Sequence, residues 1–247
     1  MRRVVLLACL LLAGCGGSSS KPTLTVSAAT SLKSAFTAYD AGFADASVRS
    51  SFAGSDELAA QIRQGVKPDV FASANTTLPE ALYKSGLVEK PTVFAANRLV
   101  LAIPATGGKV NGLADLSKPG TTIAMGSATV PVGSYTRKVL AKLPRAESKA
   151  ILANVRSNEP DVGGVVGKVA QGAVDAGFVY ITDVRAAGGK LRAIDLPDKL
   201  QPRVSYGVAV VKGAKHPDAA KRYIEGLVNG DGRRSLDAAG FLPPPGT

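Results

Sequence analysis

The sequence predicts an α/β fold, and three observations predict it. Segments of strand periodicity alternate with segments of helical periodicity along the chain. Gly and Ala are abundant. A unit made of a short strand, a small-residue turn and a capped helix occurs twice near the start. With 247 residues and 45% hydrophobic content, the chain can form one large domain or two lobes of about 100 residues.

The chain opens with Met1-Arg2-Arg3, then an apolar run from Val4 to Ala13. The run is too short to span a membrane and has the form of a secretory signal core. Gly16-Gly17-Ser18-Ser19-Ser20-Lys21 follows as a flexible tether, so folded structure is expected from near Thr23. Cys9 lies in the leader and Cys15 at its end, so the folded body has no thiol and no possible disulfide.

Leu24, Val26 and Ala28 alternate with small polar residues and predict the first strand. Ser31 stands where a helix N-cap belongs, before Leu32, Ala35, Phe36 and Tyr39 at helical spacing. First-turn amides and the helix dipole favour an anion there, although most capped helices bind nothing. The unit repeats: Val48 to Ala53 is a strand, Gly54-Ser55 a turn, and Asp56 to Ile62 a helix with Ser55 as N-cap. Two such turns from neighbouring parallel strands open at one sheet edge, where ligands of α/β folds bind. A third strand is expected in Lys67 to Ala74, and a helix over Thr77 to Ser85 stopped by Gly86. Leu99 to Ile103 is wholly apolar and reads as a buried strand able to carry the chain into another lobe.

Gly112 to Leu116 is a brief helical turn and Thr121 to Gly126 a strand. Ser127 to Tyr135 opens the next helix, with Pro131 suited to its start and Gly133 permitting close approach of a ligand or another backbone. A helix is expected over Ala146 to Val155, and another after Asp161, a plausible N-cap for a first turn containing Val162. Ala176 to Asp183 reads as one strand carrying Tyr180, a residue type that more often packs than binds. Val204 to Val211 is the return strand; helices over Pro217 to Val228 and Asp231 to Ala239 follow, the last stopped by Gly240.

Several function classes are disfavoured. The formal charge is +11, but Lys and Arg are scattered, aromatics make up 5% and Trp is absent, so nucleic-acid binding is not expected. The single His, His216, sits at a helix start and should be exposed; no nucleophile motif, phosphate loop or metal-ligand spacing is present. Asp69 and Asp183 read as caps or salt-bridge partners rather than catalytic carboxylates. No catalytic residue, cofactor or metal-cation ligand is therefore assigned.

Taken together, several motifs resemble those of the molybdate-binding proteins of ABC transporters. They are Ala28-Ala29-Thr30-Ser31-Leu32, Ser51-Phe52-Ala53-Gly54-Ser55, Pro68-Asp69-Val70-Phe71, Val130-Pro131-Val132-Gly133-Ser134-Tyr135, Asp161-Val162 and Gly177-Phe178-Val179-Tyr180. Their order and rough spacing carry the resemblance over residues 24 to about 242. It implies a two-lobed fold of the periplasmic-binding-protein type II, with the ligand cleft between lobes and two crossover strands. Residues 23–102 and 205–247 would form the first lobe, and 103–204 the second. The site would take a tetrahedral oxyanion, molybdate or tungstate, from the hydroxyls and amides of Ser31 and Ser55, the amides of Val132 and Val162, and the Tyr180 hydroxyl. Sulfate, phosphate or an organic acid remain alternatives on the same fold, and an enzyme or a ligand-free surface lipoprotein are alternatives of other classes. An organic acid would call for an Arg clamp, which neither opening turn of the first lobe contains.

Leu12-Ala13-Gly14-Cys15 resembles the bacterial lipoprotein cleavage box. It implies a signal peptide over residues 1–14, then lipid on Cys15 and a tether to residue 22. The protein would then stand at the outer face of the cytoplasmic membrane, monomeric, with a permease as partner. Two residues depart from the family pattern: Thr30 replaces a small apolar residue, and Asp56 follows Ser55 where a hydroxyl residue is common. Asp56 would repel a dianion unless it points outward, and outward placement is expected.

Overall fold

The computed structural model describes residues 21 to 245. The first half contains β1 (Thr23–Ala29), α1 (Lys33–Gly42), β2 (Ser47–Ala53), α2 (Ser55–Arg63), β3 (Val70–Ser73), α3 (Thr77–Lys84) and β4 (Thr92–Asn97). Next come β5 (Leu99–Pro104), β6 (Ile123–Gly126), α4 (Pro131–Leu140), α5 (Arg145–Ala153), β7 (Val155–Glu159) and α6 (Val162–Ala170). The rest is β8 (Ala176–Tyr180), α7 (Ile181–Ala186), β9 (Leu191–Asp195), β10 (Val204–Val210), α8 (Pro217–Asn229) and α9 (Asp231–Ala239).

These strands form two separate mixed sheets, ordered β2-β1-β3-β10-β4 and β7-β6-β8-β5-β9. In the first, β1 runs parallel to β2 and β3, whereas β10 is antiparallel to β3 and β4. In the second, β6 runs parallel to β7 and β8, whereas β5 is antiparallel to β8 and β9. The two sheets are the cores of two lobes. Parallel strands β1, β2, β6, β7 and β8 each lead into a helical turn at the same kind of edge, so five strand-to-helix turns are available to one cleft.

The chain passes between sheets at Arg98, because Asn97 ends β4 and Leu99 begins β5. The expected change of lobe after residue 102 therefore falls inside β5. Leu99 to Ile103 are all fully buried as one strand of the second sheet, so the apolar run marks the strand and not the crossing. The second passage lies between β9 and β10. Helices α8 and α9 return to the first lobe, where Tyr223 of α8 stacks against Phe36 and Tyr39 of α1, and Leu242 pairs with Ala96.

Four local expectations are corrected. Ser31 lies inside a 3₁₀ turn, Thr30–Leu32, and caps no helix. Ser55 is the first residue of α2, with Gly54 at the capping position. The strand read as reaching Asp183 stops at Tyr180, and α7 begins at Ile181. The helix read to Val155 stops at Ala153; Val155 opens β7, which the sequence reading did not contain, nor did it contain β9. Both are edge strands carrying charged residues (Arg156 and Glu159; Arg192 and Asp195), and this charge masks strand periodicity while guarding exposed ladders.

Candidate functional site

The turns of both lobes enclose a cavity of about 20 Å³ lined by Ala29 to Ser31, Ala53 to Ser55 and Ala74 from the first lobe, and by Val130 to Val132, Asp161, Val162 and Tyr180 from the second. That volume exceeds what one water needs, roughly 10–15 Å³. It is far below the roughly 300–1,000 Å³ of sites for drug-sized molecules. The space suits a small ion. All five residues expected to bind an oxyanion, Ser31, Ser55, Val132, Val162 and Tyr180, line it.

Each of these five residues has a donor to offer. Ser55 is 1% exposed, and its Oγ accepts the Ala74 amide at 3.1 Å, so the hydroxyl proton is free for the cavity. Ser31 is likewise buried, with Oγ 3.0 Å from the Tyr206 hydroxyl. In α4, Pro131 occupies the first position and has no N–H, which makes Val132 the first amide donor of that helix. In α6, Asp161 caps Gly164 at 3.0 Å and leaves the Val162 amide unclaimed within the helix. Tyr180 is fully buried and its hydroxyl has no partner in the protein. Burial above all, and the nearby Tyr206 hydroxyl after it, push its pKa well above the ordinary phenol range, so it keeps its proton. The N-termini of α2, α4 and α6 converge here and add positive potential.

No Lys, Arg or His lines the cavity. Its one carboxylate, Asp161, is engaged: besides capping α6, it accepts the Thr30 hydroxyl at 3.0 Å across the cleft. Thr30, the departure noted in the sequence, thus ties the two lobes together. Among the described residues no group of three or more His, Cys, Asp or Glu is placed to hold a metal ion.

Other expectations fare differently. Asp56 does not point simply outward, since its Oδ1 is buried without a hydrogen-bond partner, beside Gly54 at the seam between lobes. It lies in the first turn of α2, where the helix dipole draws a carboxylate back. Gly133 is approached by backbone rather than ligand: a Cβ there would sit 1.9 Å from the Ser127 carbonyl. His216 is half-buried, and its amide donates to Asp69, which also accepts from the Thr25 amide and hydroxyl. Asp183 accepts the Tyr180 amide at 2.9 Å. These two carboxylates are structural, as read. Cys15 and the leader lie outside the described residues.

The sequence reading missed Gly54, Asn97 and Tyr206. A Cβ on Gly54 would lie 2.5 Å from the Pro160 carbonyl of the opposite lobe. Tyr206 is fully buried on β10 with its ring edge-on to Tyr180 at 5.9 Å. Alternation along the return strand could have shown that Tyr206 points inward; nothing local could have shown it reaching Ser31.

The profile of the family described as bacterial extracellular solute-binding proteins matches residues 24–242. The chain is 36% identical over 236 residues to the molybdate-binding protein ModA of Mycobacterium tuberculosis, covering 93% of this chain and 88% of the relative. Among solved structures, the periplasmic molybdate-binding protein of Azotobacter vinelandii superposes with a TM-score of 0.80 at 24% identity, covering 90% of this chain and 99% of the other. The sulfate-binding protein SubI of Mycobacterium tuberculosis superposes with a TM-score of 0.79 at 18% identity, covering 90% of this chain and 87% of the other. Both structures share the fold.

Proposed function

The chain belongs to the bacterial extracellular solute-binding protein family, and from that premise we propose that it captures molybdate or tungstate outside the cytoplasm and delivers it to an ABC transporter. It is a binding protein and not an enzyme. The observation that carries the ligand reading is a small cavity between the lobes whose lining offers hydroxyl and amide donors from both sides and no cation.

A dianion stripped of water needs every oxygen satisfied. Ser31 and Ser55 supply hydroxyls and amides from one side; Val132, Val162 and Tyr180 supply donors from the other. Each charge-assisted bond contributes roughly 1.5–3 kcal/mol. Because the donors are split between lobes, the anion is fully satisfied only when the lobes meet, and closure about the passages at Arg98 and between β9 and β10 becomes the signal that a permease reads. Lipid on Cys15 would hold the monomeric protein at the outer face of the membrane.

Calorimetric titration of the body, residues 21–247, with molybdate, tungstate, sulfate and phosphate tests the reading. One-to-one binding of molybdate and tungstate with weak sulfate binding is expected. Tight sulfate or phosphate binding would replace the ligand, and no heat with any oxyanion from folded protein would remove the function.

A further inference from the structure

Amides can only donate, but a serine hydroxyl can also accept. A site that relies on Ser31 could therefore welcome an oxyanion that still carries a proton. A buried chain of hydrogen bonds behind Ser31 narrows that freedom by filling one of its two acceptor positions. Asn97, the last residue of β4 and 5% exposed, accepts the Arg98 amide through Oδ1 at 2.9 Å. This fixes which end of its side-chain amide is which. Its Nδ2 then donates to Thr182 Oγ1 at 2.9 Å and to the Tyr206 hydroxyl at 3.3 Å. Tyr206, having accepted, has one proton to give, and its neighbour on the other side is Ser31 Oγ at 3.0 Å. Ser31, accepting in turn, must direct its own proton elsewhere, and it lines the cavity.

We propose that Asn97 and Tyr206 are positioning residues that polarise Ser31, directing its hydroxyl proton toward the bound anion and setting the site against oxyanions that carry a proton. The inference rests on the oxyanion reading above. It also explains why the polarising groups lie where they do. Asn97 adjoins one passage between lobes, Tyr206 lies on the strand that follows the other, and Thr182 belongs to the second lobe. The direction of the Ser31 proton is thereby fixed by residues that share the hinge region. A chain of aligned donors also strengthens each member.

The test is a double-mutant cycle on the full chain, with molybdate affinity measured by calorimetry for the wild type, Tyr206→Phe, Ser31→Ala and the double variant. Tyr206→Phe should weaken molybdate binding about tenfold in the wild-type background and less than twofold in the Ser31→Ala background. The ratio of molybdate to inorganic phosphate affinity should fall at least fivefold in Tyr206→Phe. An equal loss in both backgrounds, or an unchanged ratio, would show that Tyr206 is only structural and overturn the proposal. Asn97→Asp provides a second route should Tyr206→Phe fail to fold. The near-isosteric carboxylate accepts from Tyr206, reverses the chain and turns Ser31 into the donor to Tyr206. Its loss should shrink in the Ser31→Ala background, whereas a mere effect of added charge would persist there and count against the relay. A wild type that binds no oxyanion would sink the function and this inference together, whereas binding by the wild type with no coupling sinks the inference alone.

Discussion

Gly54 offers the sharpest test of closure. Its backbone sits at φ −59° and ψ 134°, an ordinary conformation for any residue, so Gly54→Ala costs no backbone strain. The obstacle lies across the cleft, where the added Cβ would stand 2.5 Å from the Pro160 carbonyl; ordinary contact begins at 3.4 Å, so the lobes must part there by about 0.9 Å. The Asp56 carboxylate, also close, can swing away. Hydrogen bonds near 2.9 Å from Val132, Val162 and Tyr180 would stretch to about 3.8 Å, beyond the useful range. Losing three charge-assisted bonds at the low end of their range costs roughly 4–5 kcal/mol. Sideways relief at the seam recovers part, leaving an expected loss of about 100-fold in molybdate affinity, or nearly 3 kcal/mol. Calorimetry gives the affinity, and small-angle scattering should show that ligand no longer compacts the variant. A Gly54→Ala protein that binds within threefold of wild type and compacts normally would refute the argument that this glycine permits closure.

Three further outcomes are expected. Thr30→Val removes the hydroxyl that donates to Asp161 across the cleft, and should weaken binding about tenfold through faster dissociation, read by stopped-flow. Asp56→Asn should tighten molybdate binding several-fold, because a carboxylate oxygen buried without a partner at the seam then loses its charge; unchanged affinity would mean that Asp56 does not sense the site. Asp183 is raised from 3.8 to about 7, chiefly by burial, against the opposing Tyr180 amide bond and with help from the Asp161 charge. The folded chain therefore holds a proton that the unfolded chain releases, and this group's contribution to stability falls as pH rises from about 4 to about 7. A dianion in the cleft favours the same proton, so binding should take up protons near pH 7, measurable by calorimetry in buffers of different ionisation heat, and Asp183→Asn should abolish the uptake.

By itself the sequence determined the alternation of strands and helices, the two opening turns at Ser31 and Ser55, the cap at Asp161 and the buried run Leu99 to Ile103. These follow from periodicity and small-residue turns, and at Asp161 from capping chemistry, all of which act over a few residues and leave a local trace, whereas Ser31 and Ser55 do not cap as read. It also determined that cation clamps and metal clusters were absent from the motifs, and the order of six short motifs carried the family likeness. Tertiary structure alone decided that the turns of both lobes share one cavity, because the residues that meet there lie up to about 150 positions apart. It decided that Thr30 bonds to Asp161, that Gly54 makes room for Pro160, and that Tyr206 stands between Asn97 and Ser31 within hydrogen-bond distance of both. It also placed the crossing at Arg98, before the apolar run rather than after it. The division has a physical cause. Hydrophobic patterning and helix caps are properties of neighbouring residues, whereas the direction of a proton and the clearance between two lobes exist only once distant segments have been brought within a few ångströms.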